Sequence, residues 1–129
     1  MAPFFRRYGT ARKRPRPIPG EMNKTEKEYA ELLEARKLAG EIDQYMFDSV
    51  TFRLAKNTTY RPDFFVVTAD GTVEFHEVKG HWEDDARAKI KIAAYNYPFR
   101  FVAVTKNTKK NGGGWKYEEF SNIEPEVIR

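Results

Sequence analysis

One stretch of the chain places reactive residue types at a spacing that lets them act together. It reads Val73-Glu74-Phe75-His76-Glu77-Val78-Lys79. Side chains of a strand alternate between its faces, so Val73, Phe75, Glu77 and Lys79 share one face, and Glu74, His76 and Val78 the other. With Phe75 packed inward, Glu77 and Lys79 follow it to the covered side. An acid and an amine are costly there unless they are paired or bound to a cation. A second acid, Asp63, follows Pro62 at the mouth of a run of Phe and Val. Directly opposed residues of an antiparallel pair point to the same face. A two-residue turn at Asp70-Gly71 sets Asp63 opposite Val78, on the wrong face for Glu77. A three-residue turn, Ala69-Asp70-Gly71, sets Thr68 opposite Thr72 and Asp63 opposite Glu77, with Gly71 at the left-handed position. Paired carboxylates therefore require the odd-length turn or an equivalent bulge.

Glu26 offers a third acid. It lies three residues before Tyr29 and seven before Leu33, at the start of the helical stripe that faces the core. The plain alternative is that it only caps its helix, because Asn23 and Glu26 also have capping-box spacing. Acids with a Lys, no Cys and only two His form a hard, oxygen-donor set that suits Mg²⁺ or Mn²⁺ rather than zinc. Two such ions roughly 3.5–4 Å apart can hold the attacking and leaving oxygens of an in-line phosphoryl displacement. Lys79 is then suited to orient or deprotonate the attacking water, or to stabilise charge on the phosphate.

These residues need a scaffold, and the sequence predicts a mixed α/β one. A first helix runs from near Asn23 to near Gly40, with Tyr29, Leu32 and Leu33 as its apolar stripe and Leu38 and Ala39 closing it. Gly40 fits the left-handed position after its end. Ile42–Phe47 and Val50–Leu54 read as short strands paired with each other, followed by a polar loop over Lys56–Thr59. Pro62–Thr68 and Val73–Lys79 form the hairpin. A second helix starts at Asp84 or Asp85 and ends at Tyr95, with Ala86, Ile90, Ala93 and Ala94 inward and Pro98 beyond it. Phe99–Thr105 is a buried strand, residues 106–114 a loop, and Trp115–Phe120 a last strand or turn. The expected core order is αβββαβ.

The charge is distributed unevenly. Residues 1–20 hold Arg6, Arg7, Arg12, Lys13, Arg14 and Arg16 and no acid, leaving 17 basic and 19 acidic residues for the rest, so the net +4 arises wholly in this arm. Prolines 15, 17 and 19 oppose helix and ladder, so the arm reads as disordered until it meets a partner. It lacks the apolar stretch of a secretory signal. A polybasic arm suits DNA, RNA or an anionic membrane surface; fully engaged on DNA, its six charges imply a log–log salt slope of about −5. Residues 21–129 form the single folded domain. The chain has 129 residues, 15% of them aromatic, enough to build a core without staples. The absence of Cys excludes disulfides and thiol catalysis, and no apolar run approaches the length of a membrane span.

The motif resembles a known one. Pro62-Asp63, then Glu77-Val78-Lys79 after a hairpin, is similar to the PD-(D/E)xK nuclease signature. The run Tyr60-Arg61-Pro62-Asp63-Phe64, Glu77-Val78-Lys79-Gly80 and Trp82-Glu83-Asp84-Asp85-Ala86-Arg87 resembles more closely the phage endonuclease I type of Holliday-junction resolvase and its phage-borne relatives. So does Asn23-Lys24-Thr25-Glu26. The resemblance covers most of residues 23–105. It implies a restriction-endonuclease-like αβββαβ core. Glu26, Asp63 and Glu77 would bind Mg²⁺ or Mn²⁺ with the Val78 carbonyl, and Lys79 would be the catalytic lysine. It further implies cleavage of branched DNA to 5′-phosphate and 3′-hydroxyl ends, a homodimer, and the host cytoplasm for a phage-encoded protein.

His81, Arg87, Lys109 and Lys110 are further candidates for DNA contact. A loop histidine and a solvated helix face are the plain alternatives for the first two. His76, on the other strand face, reads as a satisfied histidine, and Trp82 and Trp115 as packing residues rather than base-stacking platforms. Other functional readings are a nicking or transposition-associated PD-(D/E)xK nuclease, a DNA-binding accessory protein without catalysis, and an RNA or membrane-surface adaptor that leaves the four reactive residues unused.

Overall fold

A computed structural model describes residues 20–81 and 84–121. Helix α1 spans Lys24–Leu38, β1 Ile42–Phe47, β2 Phe52–Ala55, β3 Thr58–Tyr60, β4 Phe64–Thr68 and β5 Val73–Lys79. Helix α2 spans Asp84–Asn96, β6 Arg100–Lys106 and β7 Trp115–Phe120, with one 3₁₀ turn at Lys109–Asn111. Strands β1, β4, β5, β6 and β7 form one sheet in that spatial order, while β2 and β3 form a separate ribbon. Among the described residues only the β5–β6 pair is parallel, and α2 is its crossover; the other pairs of the sheet are antiparallel. The protein is thus mixed α and β with a mixed sheet.

The sheet is covered on both sides. On one, Tyr29 and Leu33 of α1 pack on Ile42, Phe64, Val66, Val78, Val102 and Val104. On the other, Ile90, Ala93 and Ala94 of α2 join Phe52, Leu54 and Tyr60 of the ribbon over Phe75, Phe101 and Ala103. Each side chain of this size, fully buried, contributes about 2 kcal/mol before the cost of ordering it. Strand β5 lies between the two cores, so Glu74 to Val78 are buried without a break.

The hairpin has the odd-length turn. Phe64 pairs with His76, Phe65 with Phe75, Val66 with Glu74 and Val67 with Val73. The Thr68 N–H donates to the Thr72 carbonyl at 2.9 Å, closing a three-residue turn in which Gly71 has φ +88°. The same register carries Asp63 to a position opposite Glu77. The α1 start also matches expectation: Asn23 accepts from the Glu26 amide at 2.8 Å, and Glu26 accepts from the Asn23 amide at 2.9 Å. At its other end Gly40 has φ +81°.

Three expectations fail. Strand β1 does not pair with the next run; it pairs with β4, from Ile42 opposite Thr68 to Phe47 opposite Phe64. The two runs serve different cores: Ile42 and Phe47 pack on the α1 side, Phe52 and Leu54 on the α2 side. The supposed loop at Lys56–Thr59 is instead the tip of the ribbon. Asn57 takes φ +59° in a tight turn, and Thr58 pairs with Ala55 and Thr59 with Arg53. Finally, Leu38 is 81% exposed, because five residues after Leu33 and nine after Tyr29 it lies on the side of the helix turned away from the buried stripe.

Candidate active site

The parallel strands β5 and β6 end side by side, Lys79 opposite Thr105. Open α/β sheets commonly offer a binding crevice outside such carboxyl ends. Asp63, just before β4, reaches this end, and its Oδ2 accepts from the Val78 amide at 2.8 Å. Glu77 is 7% exposed; its Oε1 accepts from the Tyr60 hydroxyl at 3.1 Å, and its Oε2 lies 3.3 Å from the Lys79 ammonium. The N-terminus of α1 arrives at the same end, close enough for the Glu26 carboxyl to raise that of Asp63. Capping and convergence therefore coexist in Glu26, since the cap fixes its helix position. Val78 was expected to contribute its carbonyl; the contact it makes with Asp63 is through its amide.

The three carboxyls that share this end of the sheet act on one another through their charges. Burial, and next the Glu77 charge, push Asp63 up to about 8; the Val78 amide opposes this, and Glu26 adds to it. Burial also raises Glu77, opposed by Lys79 and Tyr60. The Tyr60 hydroxyl is pushed far up, first by burial and then by the Glu77 carboxylate, so it stays a donor. A hard divalent cation relieves this kind of repulsion, and the donor atoms are oxygens only, so the set fits Mg²⁺ or Mn²⁺ in type. Among the described residues, no three His, Cys, Asp or Glu side chains are already gathered as a cage.

A cleft of about 550 Å³ opens beside Glu77, lined by Tyr60, Arg61, Lys79, His81 and Lys89 among others. Lys89 of α2 donates to the Thr59 carbonyl at 3.2 Å, so its charge faces the cleft without a carboxylate partner in that bond. Arg87 is engaged differently: its two terminal nitrogens meet Glu118 of β7 at 2.6 and 2.7 Å, and its guanidinium lies 5.6 Å from the Phe120 ring centre. This bidentate pair ties α2 to the edge strand. Lys109 and Lys110 are exposed on the β6–β7 connection, which lies at the Lys79 end of the sheet. Arg6, Arg7, Arg12, Lys13, Arg14, Arg16 and Trp82 lie outside the described residues. Trp115 packs edge-on against Tyr29, with ring centres 5.1 Å apart.

His76 belongs to a separate network on the α1 side. Its Nδ1 is 2.6 Å from the Tyr29 hydroxyl and its Nε2 2.9 Å from Glu74, whose other oxygen meets Arg100 at 2.9 Å. A carboxylate only accepts, so Nε2 carries a hydrogen; in the neutral tautomer with that arrangement, Nδ1 accepts from Tyr29. Tyr60 stands in the motif run but the sequence assigns it no role, because its contact with Glu77 depends on the pairing of β3 with β2, and Thr58 and Thr59 read as loop. Compared with models of known families, with curated proteins and with solved structures, the chain has no match.

Proposed function

We propose that the protein is a metal-dependent DNA endonuclease with a restriction-endonuclease-like core, cutting four-way junctions or other branched DNA to 5′-phosphate and 3′-hydroxyl ends. The observation that carries this reading is the hairpin register, which aligns Asp63 with Glu77 on the face of Lys79. Glu26, Asp63 and Glu77 would hold Mg²⁺ or Mn²⁺, with the Val78 carbonyl added by the resemblance. When bound, the cation supplies Lewis-acid polarisation of the phosphoryl oxygen and a more acidic water.

The protein's own groups do the rest. Lys79 is 41% exposed and so able to turn from Glu77 toward substrate, where it orients the attacking water or stabilises charge on the phosphate. Lys89, Lys109 and Lys110 attract the DNA backbone to this end of the sheet, and the basic arm adds sequence-independent affinity. A homodimer supplies one cut to each of two strands.

The test is cleavage of a labelled four-way junction and a linear duplex with Mg²⁺, by wild type and Asp63→Ala. Wild type is expected to cut the junction, to stop in EDTA, and to lose more than about a hundred-fold in rate on substitution. Equal cutting of both DNAs rejects junction specificity and keeps a nuclease. Binding of DNA without cutting in Mg²⁺ or Mn²⁺ rejects the enzyme and leaves a DNA-binding module.

A further inference from the structure

We infer that Tyr60 is a positioning residue for the acidic site, holding Glu77 in place when Lys79 leaves it. The inference rests on Glu26, Asp63 and Glu77 being a cation site. Glu77 is held by two donors of different character. Lys79 is charged and 41% exposed, whereas Tyr60 is only 7% exposed and its hydroxyl points to Glu77 Oε1 at 3.1 Å. A long lysine is free to move; a buried phenol is not. If Lys79 serves the water or the phosphate, it cannot also fix Glu77, and Tyr60 is the donor that remains.

The surroundings of Tyr60 suit that task. It ends β3 opposite Phe52, and its ring lies 6.4 Å from that of Phe101 in the sheet. The next residue, Arg61, bonds to Asp48 and Thr51. The Asp48 amide in turn donates to the Asp63 carbonyl at 2.8 Å. The segment from Tyr60 to Asp63 is therefore fastened along its length. It delivers one acid directly and orients the other through a hydroxyl. The ribbon of β2 and β3 thus acquires a role beyond covering the α2 side: it brings the phenol to the site.

The test is Tyr60→Phe in the full chain, which keeps the ring and removes the hydroxyl. Mn²⁺ binding is followed by the loss of free-ion EPR signal, cleavage is measured across a Mg²⁺ titration, and melting is recorded in EDTA. Removing a group that orients a metal ligand typically costs 10–100-fold in affinity or activity. The expected result is a rise of about ten-fold in both the Mn²⁺ dissociation constant and the half-saturating Mg²⁺. The rate at saturating Mg²⁺ should change less than about three-fold, a split that a general loss of packing would not produce. Wild-type Mn²⁺ binding and Mg²⁺ dependence in the variant overturn the inference and leave the cation site standing. A lower saturating rate with unchanged half-saturation also overturns it. If wild type itself neither binds Mn²⁺ nor cuts, the cation site falls and the role of Tyr60 falls with it.

Discussion

Glu74 and Glu77 lie three residues apart on β5, at 8% and 7% exposure, and point to opposite faces of the sheet. Glu74 is fully partnered by His76 and Arg100, and the His76 hydrogen bond, ahead of any charge effect, holds its carboxyl below the usual range. Glu77 shares its end of the sheet with Asp63 and Glu26, and burial raises it despite Lys79 and Tyr60. The same residue type at similar surface exposure is thus held below its usual range by its partners on one face and, more deeply enclosed, raised by burial on the other. A paired buried acid organises a core, whereas acids in mutual repulsion are candidates for a site that binds a further group.

The sharpest way to break this comparison is to remove one member from each face and follow stability in EDTA. His76→Ala takes the His76 partner from the buried Tyr29 hydroxyl and leaves Glu74 with Arg100 alone, and should cost about 3 kcal/mol in a denaturant melt. Above about pH 8, where Asp63 is ionised, Asp63→Asn removes charge from the crowded face and should leave stability unchanged or raise it. A loss at Asp63 as large as that at His76 would erase the distinction between the faces.

The pH dependence comes next in size. Burial, and next the Glu77 charge, push Asp63 up to about 8 in the folded chain, above its usual 3.8, so the folded state holds this proton more tightly than the unfolded state does. Stability from this group is full below about pH 4 and is lost as pH rises toward 8. Glu74 has the opposite sign: its folded value is lowered, so its contribution is present above its usual 4.5 and is lost in acid. Without metal, the melting temperature should therefore fall from pH 5 to 8 in wild type and fall less in Asp63→Asn. Added Mg²⁺ should restore more stability at pH 8 than at pH 6, since it competes with that proton. A wild-type slope that survives the substitution would assign it to another group.

The smallest effects separate two neighbours on α2. Arg87→Ala should lower the melting temperature, because it unties Glu118, and leave the salt dependence of DNA binding nearly unchanged. Lys89→Ala should leave melting unchanged and reduce the slope of log affinity against log salt by about 0.9. Filter binding across a salt series, with a parallel melt, reads both. Exchange of the two outcomes would reverse their roles.

What was legible in the sequence was local. Strand alternation and turn geometry are short-range, so Asp63, Glu77 and Lys79 could be placed on one face from the spacing around Gly71. The Asn23–Glu26 cap is likewise contained in one helical turn. The partner of β1 was not legible. It depends on which core Ile42 and Phe47 enter, and their apolar character is the same for either. Strand β2 was legible as part of Val50–Leu54, but β3 and its pairing with β2 were hidden because Lys56-Asn57-Thr58-Thr59 is polar throughout. The role of Tyr60 was lost with that pairing. Arg87 and Lys89 are both cations on one helix, and only Glu118, far along the chain, tells them apart.

The run Phe64-Phe65-Val66-Val67 is apolar at every position, so pairing it one residue out of step would still bury hydrophobic side chains on both faces. The hydrophobic pattern of β4 is therefore nearly silent about register. The turn supplies that information: Gly71 donates to the Thr68 carbonyl at 2.9 Å, and the Thr72 amide is shared by Asp70 and the Thr68 hydroxyl, each at 3.1 Å. It acts as a reading frame for the sheet. Loss of one residue there would leave the strand its oily sequence yet send Asp63 to the face of His76. The chemistry of this end of the molecule is thus written at the other end of the hairpin, in residues that touch none of it.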